Sequence, residues 1–445
     1  MRFILRLSAL TTIALACGGT YFFVGRSASA QTQPAAGSVI ISELRYRGPN
    51  GIRDEFIELY NNTNSPITVN STSGGWAVVA SNGNITGPVC TIPNGTTIPA
   101  RGHFLCANTD PDFGSGYSLD DYPSGNPTPT PSPTPPILID GPAPSVVATP
   151  NPFATARPDR AFIIDDIPDG FGIALFNTQS GPSQNLANRL DAFGFTNSPL
   201  LFREGTGFPT IPAAGNEHTL FRDLRPSVPK DTNNNAADFR FVATTGTLQS
   251  QLNGSPGPEN LASPIVNNTT INSSLLDPTV AAASPPNRLR TFTPEPNAPL
   301  GTLLIRRVFT NNTGAPVTRL RFRVINITTR GTPASECGGS PCADMRALTS
   351  PDGTATMSNQ TVVVVRGVRL EENPPITLEG GGLNSSLSAD FITLAQPLQN
   401  GFSVNIQFKL GIVTSAPFRL ILNIEAQNAP ALVIPASAAL TNKKK

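Results

Sequence analysis

Histidine is nearly absent from this 445-residue chain, which has only His103 and His218. A serine or cysteine nucleophile needs a base held by an acidic partner. No G-x-S-x-G or H-E-x-x-H run occurs either, so hydrolase triads and zinc-protease centres lack their parts. Charge is scarce as well. Asp, Glu, Lys and Arg make up 14% of the residues, against roughly 25% in an average domain. The net charge of +1 argues against a nucleic-acid binder. No long window repeats apolar residues at helical spacing, so helix is not expected. Asn, Thr, Ser and 45 prolines take its place, which suits short strands joined by polar loops. The expectation is an all-β chain.

The five cysteines acquire meaning from the N-terminus. Arg2 and Arg6 precede an apolar run over 7–24, and Ala28-Ser29-Ala30 supplies small residues before Gln31. This is the pattern of a signal peptide, 1–30. The apolar run continues past Cys17, so a lipidated Cys17 ranks behind simple secretion. A retained anchor also ranks behind it, the run being short. The expected product is secreted or held at the cell surface, with no transmembrane segment after cleavage. Four cysteines then remain, an even number in an exported chain. Short loops close most readily, which favours the pairs Cys90–Cys106 and Cys337–Cys342, the second around a Gly338-Gly339-Ser340-Pro341 turn.

Strand-like runs at 39–46 and 55–60 flank a turn at 47–54. Ile57 and Leu59 point one way, and Phe56, Glu58 and Tyr60 the other. Asn61-Asn62-Thr63-Asn64-Ser65-Pro66 stops the run. Further strands are read at 75–80, 89–92, 102–108, 170–176 and 189–195, with a loop through His218. The ordered series ISE (42 and 43 within it), DEFIELYN from Asp54, Gly75-Trp76, a DTNNNAADF run from Asp231 and Gly257-Pro258-Glu259-Asn260 resembles the lamin tail domain. That resemblance implies an immunoglobulin-like β-sandwich over 38–262. It is interrupted at about 123–160 by a Pro-rich insertion whose 127–136 tract cannot join a sheet.

Residues 263–287 read as a linker or first edge strand, and 288–440 as a second antiparallel β-sandwich. Its strands are read at 301–310, 317–327, 360–370, 391–394, 402–410 and 418–426. Phe402, Val404, Ile406, Phe408 and Leu410 alternate with polar residues, and Leu320, Phe322 and Val324 alternate with Arg319, Arg321 and Arg323. The halves differ in charge: 12 Lys and Arg against 21 Asp and Glu over 31–284, and 16 against 9 over 285–445.

The candidate sites follow. Glu43, Asp54, Glu55 and Glu58 cluster around the first hairpin, where a carboxylate pair would serve acid–base work. The resemblance implies instead that they belong to a structural signature. Asp231, Asn233, Asn235 and Asp238 offer oxygen ligands for a loose calcium site, but Ala236 and Val242 stand where an EF-hand needs glycine and glutamate. Turn capping is the preferred reading. Arg319, Arg321 and Arg323, with Arg306, Arg307, Arg366 and Arg369, form a basic stripe on an outward face, suited to an acidic polysaccharide or another envelope component. Its alternative is a solvated sheet face. No cofactor and no specific nucleic-acid binding is expected. The functional expectation is a non-enzymatic binding or structural protein, with an accessory module of an extracellular hydrolase or nuclease system as the alternative.

Overall fold

A computed structural model describes residues 33–81, 88–108, 119, 141–142, 157–162, 166–210, 218–243, 252–371 and 379–429. The signal peptide, the 127–136 tract and Lys443–Lys445 lie outside the described residues. Its regular structure is nearly all strand, and among the described residues the α-helices are the single turns Asn235–Asp238 and Ala334–Cys337.

The first sandwich pairs two sheets. One runs Leu252–Asn253, Phe239–Ala243, His218–Arg222, Val39–Arg45, Phe56–Asn61, His103–Asn108, Arg160–Phe162, Gly141–Pro142 in spatial order. The other runs Arg189–Phe193, Gly172–Phe176, Gly75–Ser81, Pro88–Pro93. Ile57, Leu59, Phe104 and Cys106 of the first sheet meet Trp76, Val78, Ile173 and Phe193 of the second in one buried core. Period-two alternation places them there, since each strand gives every second side chain to the interior. Gly75 must be glycine: its φ is 153°, and a Cβ would lie 2.1 Å from the Ile92 carbonyl oxygen. His218, read as a loop residue, sits instead in a strand and is buried.

Cys90 and Cys106 lie at disulfide distance, with Cα atoms 6.4 Å apart, as do Cys337 and Cys342, with Cα atoms 5.6 Å apart. The strands carrying Cys90 and Cys106 belong to different sheets. The first bridge therefore crosses the sandwich core rather than joining neighbours in one sheet.

The second sandwich stacks Ile265–Val266, Leu420–Asn428, Val317–Ile327, Ser386–Ser388, Arg369–Leu370 against a sheet ordered Ile271–Leu275, Thr302–Asn311, Ser403–Thr414, Val362–Gly367, Gly353–Thr356. Arg288–Arg290 also pairs with Thr302–Asn311, and Asp344–Leu348 with Ser403–Thr414. Leu320, Phe322 and Val324 face Phe309, Ile406 and Phe408 across the core, with Phe322 packed edge-on against Phe408. The 263–287 stretch supplies two strands rather than a free linker, because Ile265 and Ile271 open short paired runs. Residues 391–394 are not a strand; that place beside Val317–Ile327 is taken by Ser386–Ser388.

The sandwiches are not independent bodies. Gln33–Lys445 form one compact unit. Phe221 and Val242, on the outward face of the first sheet, belong to the core of the second sandwich.

Candidate functional site

The seam between the sandwiches gathers charge. A register shift after Ile41 turns Glu43 away from the first core, opposite Glu58 on the next strand. His103 lies across from Tyr60 on the strand beyond, its ring 5.0 Å from the Tyr60 ring. From the second sandwich, Arg321 and Arg323 point toward the same seam, Arg321 standing opposite Glu425 in the ladder. The segment Gly257-Pro258-Glu259-Asn260 runs between.

The contacts are dense. His103 Nδ1 is 3.0 Å from Glu58 Oε1, and its Nε2 is 3.0 Å from Glu259 Oε2. Glu259 also pairs with Arg321 and, at 2.8 Å, with Arg323. Glu425 takes Arg321 at 2.6 Å and Arg323 at 2.9 Å. Glu371 lies 3.8 Å from Arg321. Backbone N–H groups close the remaining oxygens: Gly257 donates to Glu43 at 3.0 Å, and Glu259 to Glu58 at 2.6 Å. The Asn384 amide donates to Glu43 at 3.0 Å. Gly257 permits this approach, since a Cβ there would lie 2.6 Å from Arg323 Nη1.

Five carboxylates thus face two guanidiniums and one imidazole, all buried. With Arg319 beside Glu371 also counted, the carboxylates still outnumber the cations, and unmatched buried charge is costly. Burial, and then the nearby Glu58, push the Glu43 carboxyl up to about 7. Burial works against the Glu425 carboxylate too, but Arg321 and Arg323 outweigh it and hold Glu425 below the usual range. The cavity here, lined by Glu43, Tyr60, His103, Glu259 and Arg323 among others, is about 30 Å³. That is room for a water or two, whereas substrate pockets run to roughly 300–1,000 Å³.

Glu58, His103 and Glu259 bring one donor atom each within 4.8 Å of one another. Each ring nitrogen is nevertheless committed to a different carboxylate, and two guanidiniums already hold Glu259. The place of a metal cation is filled by arginine.

The sequence-derived sites separate. Glu43 and Glu58 belong to the seam, while Asp54 and Glu55 do other work. Arg45 donates to the Asp54 carbonyl at 2.7 Å, and Asp54 accepts from the Asn50 N–H at 2.5 Å. Glu55 accepts from the Ile167 N–H at 2.8 Å and from Asn108 at 3.0 Å, and burial pushes its carboxyl up to about 9. The four do not come together at one place: Glu43 and Glu58 face each other, and Asp54 and Glu55 lie apart from them.

Asp231, Asn233, Asn235 and Asp238 shape a loop. Asp238 accepts from the Thr232 N–H at 2.8 Å, and Asn235 Oδ1 accepts from the Glu204 and Gly194 N–H groups at 2.8 and 3.0 Å. Asp231 and Asp238 join Asp191 and Glu204 around the fully buried Arg222, with Asp191 at 2.7 Å. Burial and then Asp191 push the Glu204 carboxyl up to about 9. Here, too, a guanidinium sits at the centre of the carboxylates.

The outward basic stripe is corrected outright for two of its members. Arg321 and Arg323 are 3% and 4% exposed. They do point away from their own core, as alternation requires, but the first sandwich covers them. Arg319 borders a small hollow with Asp390 and Ser388, while Arg366 and Arg369 pair with Asp352 at 2.8 Å and Asp390 at 2.5 Å.

Sequence reasoning missed Glu259, Glu371, Glu425 and the hub at Arg222. Glu425 had a signal: Asn423, Glu425 and Gln427 alternate with Leu422, Ile424 and Ala426, so it points away from the core on the strand that pairs with the Arg321 strand.

Residues 32–181 match the family model of the Lamin Tail Domain. The match ends before His218–Arg222 and Phe239–Ala243, which complete the same first sheet. No curated protein matches the chain.

Proposed function

We propose that the chain is a secreted or cell-surface, non-catalytic binding or structural protein, in which a lamin-tail-like sandwich and a second sandwich act as one rigid body. The reading rests above all on the seam. The groups best suited to proton transfer, His103 with Glu58 and Glu259, lie around a space of about 30 Å³ and spend their hydrogen bonds on one another. General acid–base work needs a group within reach of a substrate proton, and a space of that size holds a water or two rather than a substrate. Export is supported by the basic start, the apolar run and the Ala28-Ser29-Ala30 motif, together with two cysteine pairs at bonding distance.

The purified chain should turn over no ester, phosphodiester or glycoside above a protein-free blank. Turnover that Glu58→Gln abolishes in a folded protein would overturn the reading. N-terminal sequencing of exported material should begin at Gln31.

A further inference from the structure

Arg288, Arg290, Arg306 and Arg307 of the second sandwich lie close together in the ladder and have no carboxylate partner among the described residues. Their recorded side-chain contacts are carbonyl oxygens, one glutamine and two aromatic rings. Three of the four share a face. In the ladder, Arg288 stands opposite Ile305 and Arg290 opposite Leu303. Arg307 follows two residues after Ile305 on the same strand, so alternation carries it to the same side. The row Arg290, Arg288, Arg307 runs along the Arg288–Arg290 edge strand, at the rim of the core that Leu303 and Ile305 line. Same-face steps along a strand are about 6.6–6.8 Å, and diagonal neighbours on paired strands lie about 7–8 Å apart.

Two of the three rest on aromatic rings. The Arg288 guanidinium carbon is 5.3 Å from the Phe418 centroid, and that of Arg290 is 4.5 Å from Phe292. Among the described residues Arg288 makes no side-chain hydrogen bond, which leaves its donors for a carboxylate fork, whereas Arg290 spends both Nη groups on the Thr302 and Leu300 carbonyl oxygens and contributes its charge and its ring contact. Phe292 is 78% exposed, an apolar plate beside a cation. Burial, and then the charge of Arg288, make the cation of Arg307 harder to hold. Among the described residues, these like charges therefore stand side by side with no carboxylate to neutralise them.

We infer that the row Arg290–Arg288–Arg307 is a docking track for an acidic polysaccharide, whose carboxylates lie on the guanidiniums and whose sugar faces lie on Phe292. This rests on the binding reading above and names its ligand class and place. Nucleic acid fits less well. Three cations give little backbone affinity, the whole chain is only +1, and 31–284 carry 12 basic residues against 21 acidic ones. A polyuronate offers widely spaced carboxylates together with apolar ring faces.

The test uses the full exported chain with polygalacturonate as probe, pullulan as neutral control and a single-stranded oligonucleotide as phosphate control. Binding should appear with polygalacturonate alone and weaken steeply toward about 0.5 M salt, where screening is nearly complete. The double replacement Arg288→Gln, Arg307→Gln should lower the affinity roughly tenfold or more with an unchanged circular dichroism spectrum. Phe292→Ala, at a fully exposed ring, should lower it without touching any charge. Unchanged affinity in the arginine variant would overturn the track while leaving a binding protein. Equal or tighter binding of the oligonucleotide would overturn the polysaccharide. Absence of polygalacturonate binding would overturn the inference, and the non-catalytic reading would still be judged by its own turnover assay.

Discussion

Two arginine rows in the second sandwich have the same spacing and opposite surroundings. Arg321 and Arg323 are sealed in the seam, each between Glu259 and Glu425. Arg290, Arg288 and Arg307 sit at a rim, half-buried, with no carboxylate partner among the described residues. Both rows arise from strand alternation; what differs is whether another sheet covers the face. A charge removed from water must be matched where it lies, because its desolvation costs several kcal/mol. A charge at a rim keeps its hydration, so its partner can be solvent or a ligand.

The largest effect should come from breaking the matched row. Replacing Arg323 with glutamine leaves Glu425 and Glu259 short of a counter-charge inside the seam. The expected loss is about 3–5 kcal/mol, read as a lower urea midpoint at unchanged slope. Replacing Glu425 with glutamine in the same chain should recover part of it, giving a coupling energy of the same sign. A loss below about 1 kcal/mol would put the pair in the class of exposed surface bridges, and the contrast between the rows would fail.

Gly257 sharpens the contrast by geometry alone. Gly257→Ala adds one methyl group where Arg323 Nη1 would lie 2.6 Å away and the Asn384 carbonyl oxygen 3.0 Å away. Overpacking of this kind costs roughly 1–3 kcal/mol, and the cost should shrink in the Arg323→Gln background, where the blocking atom is gone. Additive losses would mean the seam tolerates displacement of the guanidinium.

These positions also mark how far the sequence could be read. Alternation in 402–410 and 317–327 is clean, so the strands and the outward direction of Arg321 and Arg323 were legible. That outward meant covered was not, because period two separates a strand's faces without saying what lies beyond each. Glu43 and Glu58 point outward from the first sandwich in the same way, and only their meeting with Arg323 through Gly257 and Asn384 reveals the seam. The opposed charges of the two halves hinted at complementary surfaces. Read alone, they suggested two separate domains. Asp231 and Asp238 looked like ion ligands because a loop of alternating oxygens is built alike for a cation and for Arg222. The Cys90–Cys106 pair was legible from loop length, although its path across the core was not.

The pH dependence of stability should report the acid excess in the seam. The Glu43 carboxyl is raised from 4.5 to about 7 in the folded protein, so folding favours its protonated form. That contribution is complete below the unfolded value and is lost as pH rises through about 7. Other raised carboxyls, Asp159 and Glu204 among them, slope the same way, so the informative quantity is a difference. Glu43→Gln should be about as stable as the parent near pH 4 and more stable than it near pH 8, by on the order of 1–2 kcal/mol. Curves that stay parallel across that window would mean that Glu43 titrates alike in the folded and unfolded chain and that the seam does not hold its proton.

The smallest effect belongs to the unmatched row, and its sign is the point. Arg307 is disfavoured as a cation by burial and by Arg288, and its recorded side-chain bond is to the Arg306 carbonyl at 2.7 Å. Replacing it with glutamine gives up that Nη bond for a shorter amide donor, removes the repulsion and leaves the Arg288 contact with Phe418 intact. Like charges this close on a sheet cost a few tenths of a kcal/mol, so Arg307→Gln should raise stability by about 0.2–0.5 kcal/mol at low ionic strength. The gain should fade toward about 1 M salt, where the screening length falls to about 3 Å. A cationic side chain whose removal stabilises the free protein is kept for a reason other than folding. If Arg307→Gln were instead to cost more than about 1 kcal/mol at every ionic strength, the row would be held by contacts within the fold, as Arg321 and Arg323 are. The two rows would then differ only in degree of burial.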